Sequence, residues 1–450
     1  MPVENLETAI RQTGNVVEFL RNSQYPAVEF PVQPEFSNWR SEQAAWRDSC
    51  VLLDQSHHMV DLFIKGPDAF RALREHGVNS FENFTPAIAK QYISVNEDGY
   101  FIGDGILFHL EEGHFDLVAN PSIANWIEYK LSTGGYDLKI ERDNNSNRRK
   151  GPPKLYRYEL QGPTAGPLVE KLTGAPLPKV KFFHMADLTI GGRKTRALRH
   201  GMAGQPGFEI FGPWEEGDAV LEAILKAGEE FDLKRGGARA YATANLESGW
   251  VPRPFTAIFG EKQKGFREWL PATSVGSLGG SMDSPDVTDY YHTPHDLGYG
   301  HVVKFDHDFV GREALEELVK APRRTKVTLE WNVDDVMSVI RSQYEPGLPA
   351  KFIEFPKARY AFFQVDKIMQ DGRQVGMSTD VGYIANERAM ISLASIDLSL
   401  AEPGTEVTVL WGEDPNTRKP GVEPHRQVEV RATVAPIPYA KVIRDSYRKS

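Results

Sequence analysis

The chain has 450 residues, of which 40% are hydrophobic and 25% are charged, so it can bury a large core in two or three domains. Its net charge of -10 and pI near 5.7 disfavour binding to the phosphate backbone of a nucleic acid. No stretch approaches the roughly 18 apolar residues of a membrane helix, and the opening MPVENLETAI lacks the basic and apolar regions of a signal peptide. We therefore expect a cytoplasmic protein with neither nucleic acid nor membrane as a partner.

The cysteine and histidine content limits metal chemistry. Cys50 is the only cysteine, which excludes an intramolecular disulfide and any site that needs two thiolates, the Rieske iron–sulfur centre included. The closest histidine groupings are residues 57–58, His109 with Glu111, and His292 with His295; each lacks a third ligand nearby in the sequence. We predict that the protein binds no metal.

The first 154 residues show helical patterns followed by strand patterns. Apolar spacing predicts a helix from Leu6 to Arg21, and a proline-punctuated arm follows at Tyr25–Pro34. The segment Val51–Ile64 is strand-like and Asp68–His76 predicts a short helix. Alternating runs within Ile93–Asn120 predict consecutive antiparallel hairpins.

The middle of the chain begins after a polar segment. Residues 141–154 (ERDNNSNRRKGPPK) contain no aliphatic side chain and predict an exposed linker. Beyond it we predict a strand at Tyr156–Leu160 and helices at Pro163–Leu172 and Asp218–Phe231. Helices mixed with closely joined antiparallel strands indicate the α+β class.

After Pro322 the pattern changes to repeated short strands, as in a small β-barrel or sandwich. We therefore place domains at 1–154, 155–320 and 321–450. The strands predicted in the last domain are Lys326–Trp331, Arg359–Gln364, Met390–Ile396, Glu406–Trp411 and Gln427–Ala435.

Common catalytic motifs are missing from the sequence. There is no G-x-S-x-G elbow and no G-x-G-x-x-G after a strand, and Gly260 and Gly265 have P-loop spacing but are followed by Phe266 where a lysine is required. Nucleotide-dependent chemistry is therefore disfavoured.

A glycine-rich loop at Leu198–Pro213 leads into a predicted strand at Phe208–Phe211 that contains Glu209. Glu209 is open to two interpretations. It is either an ordinary carboxylate on the solvent face of the strand, or a buried one that accepts paired hydrogen bonds from a flat ring rich in N–H groups.

Residues 199–209 (RHGMAGQPGFE) resemble the R-x-G-x-x-G-x-x-G-x-E motif of the aminomethyltransferase family, which includes the glycine-cleavage T-protein. In that family the final glutamate, here Glu209, holds the pterin ring of tetrahydrofolate. Other segments resemble the family in the same order, and together they span roughly residues 45 to 440. They are 160–163 (LQGP), 245–249 (NLESG), 308–315 (DFVGREAL) and 404–407 (GTEV).

The resemblance implies an α+β aminomethyltransferase fold with antiparallel sheets: an N-terminal arm and two folate-binding subdomains, then a small C-terminal β-barrel. It implies tetrahydrofolate as the methyl acceptor and no metal. Trp250 would stack on the folate, although an ordinary core position is the alternative for this residue. The residues that the resemblance assigns to the cofactor are Glu209, Trp250, Gln91, Asp104 and Gln161.

Two glycines distinguish the chain from the T-proteins. Asp104 corresponds to the second aspartate of their G-x-x-D-D segment, and residues 118–120 match their V-x-N. Gly103 stands in place of the first aspartate and Gly105 in place of a bulky aliphatic residue. These differences disfavour a pocket for an aminomethyl group.

The N-terminal third, together with two short segments further along the chain, resembles one branch of the family, the tetrahydrofolate-dependent O-demethylases of lignin-derived methoxybenzoates such as vanillate, 3-O-methylgallate and syringate. This branch implies transfer of an aryl methyl group to N5 of tetrahydrofolate, with a catechol-type product. The matching segments are 20–24 (LRNSQ), 34–40 (PEFSNWR), 54–62 (DQSHHMVDL), 90–92 (KQY), 181–183 (KFF) and 304–309 (KFDHDF).

Tyr241 aligns with the pocket tyrosine of that branch. Because phenolate is a poor leaving group, a donor must face the ether oxygen, and a tyrosine hydroxyl with a pKa of about 10 suits a phenol product. The alternative is a core tyrosine bonded to the backbone. His58 would orient the ring through a neighbouring hydroxyl, with His57 beside it, and Tyr25 and Phe30 would form walls of the substrate pocket.

Asn120 bears on the choice of substrate. Vanillate-type relatives carry an arginine for the substrate carboxylate at this position, and an asparagine removes that charge-assisted bond. We count Asn120 among the substrate contacts and infer that the substrate either is held by another cation or lacks a carboxylate.

Three functions remain open from the sequence. The segments around His58 and Tyr241 favour an aryl O-demethylase. The second is another folate enzyme on the same scaffold, such as a dimethylsulfoniopropionate-type demethylase or a glycine-cleavage aminomethyltransferase. The third is a folate-binding protein without turnover. The sequence predicts no oligomeric state.

Overall fold

Asparagine side chains cap the first turns of several helices of the protein. The structure is a computed structural model, and it describes residues 4–23, 30–177, 179–413, 419 and 421–446. Each side-chain oxygen accepts a hydrogen bond from a backbone N–H two or three residues further on. These N–H groups have no partner within the helix, so the cap stabilises its first turn. The capping residues are Asn5, Asn15, Asn38, Asn120 and Asn332.

The helices of the described residues are short. The longest, α5, has 13 residues, and no described helix combines the length and apolarity needed to cross a bilayer. The helices are α1 Leu6–Thr13, α2 Val16–Asn22, α3 Trp39–Asp48, α4 Ala69–Glu75, α5 Pro121–Thr133, α6 Ala165–Thr173, α7 Gly217–Gly228, α8 Ala238–Tyr241, α9 Ala244–Ser248, α10 Lys264–Trp269, α11 Arg312–Leu318, α12 Val333–Arg341 and α13 Lys441–Ser446.

The strands form two open sheets, a closed barrel and a short separate pair. They are β1 Cys50–Asp54, β2 Val60–Lys65, β3 Ala89–Val95, β4 Phe101–Glu111, β5 His114–Ala119, β6 Lys139–Asp143, β7 Leu155–Gln161, β8 Met185–Ile190, β9 Arg193–Arg199, β10 Gly207–Pro213, β11 Leu233–Gly236, β12 Leu278–Gly279, β13 Arg324–Trp331, β14 Phe363–Gln364, β15 Asp366–Gln370, β16 Arg373–Ile384, β17 Ala389–Asp397, β18 Glu406–Trp411 and β19 Val428–Ala435.

The first sheet has five antiparallel strands in the order β3-β4-β5-β2-β6. Gly99 (φ +78°) and Gly113 (φ +63°) make the left-handed turns that join β3 to β4 and β4 to β5. Trp126 and Ile127 of α5 are fully buried in the core beside it. The antiparallel hairpins predicted for Ile93–Asn120 are confirmed.

The second sheet has six strands in the order β11-β1-β7-β10-β9-β8. All its pairs are antiparallel except β1 with β11. Strand β1 belongs to the first 154 residues of the chain but pairs with β7 and β11 of the following segment, so the two sheets are tied together by the chain. The boundaries at 154 and 320 stay predictions.

The C-terminal strands close an antiparallel barrel in the order β13-β17-β16-β15-β18-β19. Trp331 and Trp411 meet edge to face in its core, with ring centroids 5.5 Å apart. The α+β class and the small C-terminal barrel are therefore confirmed. The strand predicted at Arg359–Gln364 is wrong apart from β14, which pairs with β12 outside the barrel.

Two further expectations need correction. The predicted helix Leu6–Arg21 is interrupted, because Gly14 takes φ +84° and ends α1 before Asn15 caps α2. The linker predicted at 141–154 is not wholly exposed: its first residues lie in β6, and Asp143 is buried in an ion pair with Arg149, Nε to Oδ1 2.6 Å. Polar residues become buried when a partner satisfies them, which composition does not reveal.

Candidate active site

Two cavities meet at the centre of the described structure. Cavity A, with an empty volume of about 1110 Å³, is lined by residues of both open sheets and of the barrel. Cavity B, with an empty volume of about 2610 Å³, opens on the side of the N-terminal arm. The residues that line both are His58, Met59, Met202, Tyr241 and Trp250.

Tyr241 and His58 form the polar part of this shared wall. The Tyr241 hydroxyl is 2.9 Å from His58 Nε2, and Gln55 Nε2 donates to it at 3.4 Å. The two rings meet edge to face with centroids 5.1 Å apart. Tyr241 lies at the end of α8, and His58 lies in the turn between β1 and β2. Residues 183 positions apart are thus brought into one hydrogen-bonded pair.

Burial sets the protonation of the pair. It raises the pKa of Tyr241 well above its usual value, and the nearby carboxylates of Glu159 and Glu209 raise it further. Burial, then the positive charge of Arg253, lower the pKa of His58 to about 4. At neutral pH the tyrosine therefore keeps its proton and the imidazole is neutral, so Tyr241 is available as a hydrogen-bond donor.

Glu209 is held by a buried guanidinium at the base of cavity A. Arg157 Nη1 donates to Glu209 Oε1 at 2.9 Å, and Nη2 donates to Asp116 Oδ2 at 2.7 Å and also to Asp61. Burial raises the pKa of Asp116 well above its usual range, and the adjacent Asp61 carboxylate raises it further. Glu209 is thus a buried, paired carboxylate and not one on the solvent face of a strand.

Asp104 gathers three donors on one oxygen. Its Oδ2 accepts hydrogen bonds from Gln91 Nε2 at 2.8 Å, Trp250 Nε1 at 2.8 Å and the Tyr299 hydroxyl at 3.0 Å. Its other oxygen, Oδ1, is buried and has no hydrogen-bond partner among the residues that the structure describes. All four of these residues line cavity A, so the structure brings together four of the five residues that the resemblance assigned to the cofactor: Glu209, Trp250, Gln91 and Asp104.

Gln161, the fifth of them, lines neither cavity. Its Oε1 accepts hydrogen bonds from the backbone N–H groups of Ala203 at 2.8 Å and Gln205 at 3.2 Å, and its Nε2 donates to Glu159 at 2.9 Å. Gln161 therefore supports the glycine-rich loop that carries Met202 to the junction of the cavities.

Three of the four residues assigned to substrate binding line cavity B. Phe30, His57 and Asn120 all line it, whereas Tyr25 lies outside the described residues. Phe30 meets the His58 ring edge to face at 6.1 Å. The side-chain oxygen of Asn120 accepts the Ser122 N–H at 2.9 Å as the cap of α5, so this oxygen is already engaged.

Sequence reasoning did not find the cations of cavity B. Arg253, Arg359 and Lys419 line it. Arg359 pairs with Asp380 (3.4 Å) and Lys419 with Glu413 (3.5 Å), while the guanidinium carbon of Arg253 lies 4.6 Å from the centroid of the Phe362 ring. No local motif marks them, because they come from loops and from the barrel segment.

Residues 5–252, more than half of the chain, match the family model described as the GCVT N-terminal domain. This chain belongs to the GCVT family. Syringate O-demethylase of Sphingobium sp. (strain NBRC 103272 / SYK-6) is 46% identical over 99% of this chain and 98% of its own length. Sesamin methylene transferase of Sinomonas sp. (strain No.22) is 30% identical over 84% of this chain and 82% of its own length.

A solved GCVT-family structure shares the fold. The glycine cleavage system aminomethyltransferase T of Bartonella henselae matches with a TM-score of 0.63 over 98% of both chains, at 18% identity. The predicted resemblance to the aminomethyltransferases, and to their O-demethylase branch, is confirmed by these relatives.

In this GCVT-family chain, Gly103 and Gly105 are packed so closely that a larger side chain does not fit at either position. A Cβ atom on Gly105 would lie 2.6 Å from the Ala119 Cβ, and one on Gly103 would lie 2.8 Å from the Ile123 Cβ. Larger residues require β5 and α5 to move.

Proposed function

We propose that this protein is a tetrahydrofolate-dependent O-demethylase that moves the methyl group of a methoxy-substituted, lignin-derived aromatic compound to tetrahydrofolate. The products are a catechol-type ring and 5-methyltetrahydrofolate. The observation that carries the proposal is the junction of two cavities at Tyr241 and His58, which places one binding space on each side of a protonated hydroxyl. The 46% identity to a syringate O-demethylase supports it.

Cavity A fits tetrahydrofolate. Its carboxylate Glu209, fixed by Arg157, suits the N–H-rich edge of a pterin, and the buried Asp104 Oδ1 supplies a second acceptor. Trp250 and Phe183 provide aromatic surface for flat rings. We assign Glu209, Asp104, Gln91 and Trp250 to the folate, with Gln161 acting through the loop.

Cavity B holds the methoxyarene. Phe30 supplies aromatic wall, and His57 and Asn120 supply polar groups beside His58. Because the two cavities share His58 and Tyr241, a methoxy group at their junction faces both the hydroxyl of Tyr241 and the folate side.

Tyr241 stabilises the leaving group. When bound, tetrahydrofolate supplies the secondary amine N5, which gains the methyl group as the ether O–CH3 bond breaks and loses the proton that the phenol product gains. The hydroxyl of Tyr241 donates a hydrogen bond to the departing oxygen, where negative charge develops. Neutral His58 accepts from Tyr241 or from a ring hydroxyl of the substrate, and so orients both.

The substrate is an aromatic acid whose carboxylate is held by Arg253. Asn120 carries no charge and its oxygen caps α5, whereas Arg253 lines the same cavity and its charge reaches His58. A guanidinium forms bidentate hydrogen bonds with a carboxylate.

A panel assay tests the proposal. Purified protein is incubated without oxygen with tetrahydrofolate and, separately, vanillate, syringate, 3-O-methylgallate or guaiacol, and both products are quantified by chromatography. We expect demethylated ring and 5-methyltetrahydrofolate in equal amounts from at least one acid. Binding of tetrahydrofolate without product from any ring would contradict the proposal and favour a folate-binding protein without turnover.

A further inference from the structure

His200 is a buried polar residue of cavity A that the mechanism above does not use. It follows β9, is only 9% exposed and lines the cavity beside Met202 and Glu209. Neither Nδ1 nor Nε2 has a hydrogen-bond partner in the part of the chain that the structure describes. A buried donor or acceptor without a partner is costly, and where such a group lines a cavity, as His200 does, it points to a ligand.

The surroundings of His200 offer aromatic contacts and a rigid support. Its ring centroid lies 5.3 Å from that of Phe183 and 6.2 Å from that of Phe182. Its backbone N–H donates to the Gly207 carbonyl at 3.1 Å, which continues the pairing of β9 with β10. The imidazole is therefore held on the same two strands that present Glu209.

The ring is neutral at physiological pH, because burial lowers the pKa of His200 to about 4. A neutral imidazole carries one N–H donor and one acceptor nitrogen. It therefore suits a ligand with adjacent uncharged donors and acceptors, whereas a phosphate or carboxylate would favour the protonated form.

We propose that His200 binds tetrahydrofolate directly, with a ring nitrogen hydrogen-bonded to a heteroatom of the folate held between Glu209 and the Phe182–Phe183 pair. This inference rests on the proposed function for the identity of the ligand. It adds a binding residue that the family motif does not mark, since His200 stands at the variable position of R-x-G.

A histidine that binds ligand affects the stability of the ligand-free protein differently from a histidine that only packs in the core. Without ligand, the protein carries the cost of two unpaired ring nitrogens, and the proposed hydrogen bond to the ligand removes the cost of one of them. Replacing His200 by an apolar residue of similar size should therefore leave the ligand-free protein as stable or more stable, while weakening the binding of folate.

The test compares wild type, His200→Leu and His200→Gln by anaerobic calorimetric titration with tetrahydrofolate and by melting temperature with and without it. We expect His200→Leu to raise the Kd about tenfold, for the loss of one hydrogen bond, without lowering the melting temperature of the ligand-free protein. His200→Gln keeps a donor and an acceptor and should stay closer to wild type.

Ser395→Ala is the matched control. The Ser395 hydroxyl is also buried without a described partner, but it lies in the barrel away from both cavities, so the variant should leave the Kd unchanged.

An unchanged Kd in His200→Leu would overturn the inference while leaving the proposed function intact. Failure of the wild type to bind tetrahydrofolate would overturn both. If His200→Leu does not fold, the imidazole ¹⁵N resonances of wild type decide: a shift of His200 on adding tetrahydrofolate supports the contact, and no shift refutes it.

Discussion

The Tyr241 hydroxyl has two neighbours, and their chemistry decides where its proton goes. Gln55 Nε2 can only donate, so the tyrosine oxygen accepts from it at 3.4 Å. The tyrosine proton is then directed at His58 Nε2, which accepts when the imidazole proton is on Nδ1. The arrival of an ether oxygen offers this proton a second acceptor without any change of ionisation.

Tyr241→Phe tests the role of this hydroxyl. The ring still packs against His58, so we expect a folded protein, while turnover of the best methoxyarene falls about 10²-fold or more because the leaving oxygen loses its donor. Steady-state kinetics and the Kd for tetrahydrofolate are measured together. Unchanged kcat would remove Tyr241 from the mechanism, and a matching loss of folate affinity would assign it to binding instead.

Arg253→Gln tests the nature of the substrate. We expect KM for an acid such as syringate to rise about tenfold or more, because a charge-assisted pair is lost, while KM for neutral guaiacol stays the same. The neutral ring is the internal control for folding and for the catalytic groups. A parallel change for both rings would argue against a carboxylate contact at Arg253.

Individual site residues were predictable to the extent that local motifs mark them. Glu209, Asp104, Gln91 and Trp250 were assigned through sequence motifs, and they lie together in cavity A. Arg253 was not found, because its relevance depends on a cavity assembled from distant segments. Gln161 was assigned to the folate from its motif, although its hydrogen bonds go to the loop behind the cavity.

Strand β7 organises the site at the level of a single element. Alternate residues of a strand face the same side, and here Arg157, Glu159 and Gln161 all point beneath cavity A. Arg157 donates to Glu209, and Glu159 accepts from Gln55. Gln161 accepts from two backbone N–H groups of the loop that carries Met202. Strand β7 thus connects Glu209, the loop that carries Met202, and Gln55, the hydrogen-bond neighbour of Tyr241.

Glu159→Gln tests this connection through pH. Burial, and then the charge of Glu209, raise the pKa of Glu159 to about 8, against the lowering effect of the Met202 N–H bond. Glu159 is thus protonated at pH 7 and gains a negative charge as the pH rises through 8, which opposes the charge that develops on the departing oxygen. We expect wild-type kcat to fall above pH 8.

Glutamine is isosteric with the protonated acid, so the variant should keep activity at pH 7 and lose the decline above pH 8. Identical pH profiles of kcat for wild type and variant would show that Glu159 does not act on the reaction.

Helices and strands were predicted correctly where the periodicity of apolar residues is unambiguous. The hairpins of β3, β4 and β5 alternate clearly and are joined by glycine turns. The break at Gly14 was missed because apolar spacing continues across it, and α12, β15 and β16 were not predicted. The segment Arg359–Gln364 has strand-like side chains, but most of it lines or borders cavity B.

At the scale of the whole molecule, the cavities are built by the two open sheets and the barrel segment together. The barrel strand β13 contributes Lys326 to cavity A, and the barrel segment contributes Arg359 and Tyr360 to cavity B. The motifs and their order predicted this fold, because they identified the resemblance to a family whose fold is known. It did not predict how the barrel side chains complete the site, which depends on packing between segments more than 100 residues apart along the chain.

Buried neutral histidines make the stability of the molecule depend on pH. Burial lowers the pKa of His58, His76 and His200 to about 4 and that of His292 to about 3, from an ordinary value of 6.5. At pH values between the pKa of the folded state and 6.5, these histidines bind more protons in the unfolded chain than in the folded one. Their contribution to stability is therefore present above pH 6.5 and is lost as the pH falls towards 4.

His76→Gln isolates one of these contributions, because His76 lines neither cavity. Buried acids with raised pKa values, such as Glu159, make stability fall as the pH rises, but they are present in both proteins and cancel when the two are compared. We expect the free energy of unfolding of the wild type to fall more steeply with decreasing pH than that of the variant, by up to about 1.4 kcal/mol per pH unit between pH 6.5 and 4. Denaturant unfolding at several pH values measures both slopes. Parallel slopes would show that His76 is already protonated in the folded protein or is exposed.

The most direct test of the central claim follows the methyl group itself. The protein is incubated without oxygen with tetrahydrofolate and an aromatic acid whose methoxy carbon is ¹³C, and the products are read by NMR and mass spectrometry. We predict that the label appears in 5-methyltetrahydrofolate in a one-to-one ratio with the demethylated ring. Label in formaldehyde or methanol, or demethylation that proceeds without tetrahydrofolate, would contradict direct transfer between the two cavities.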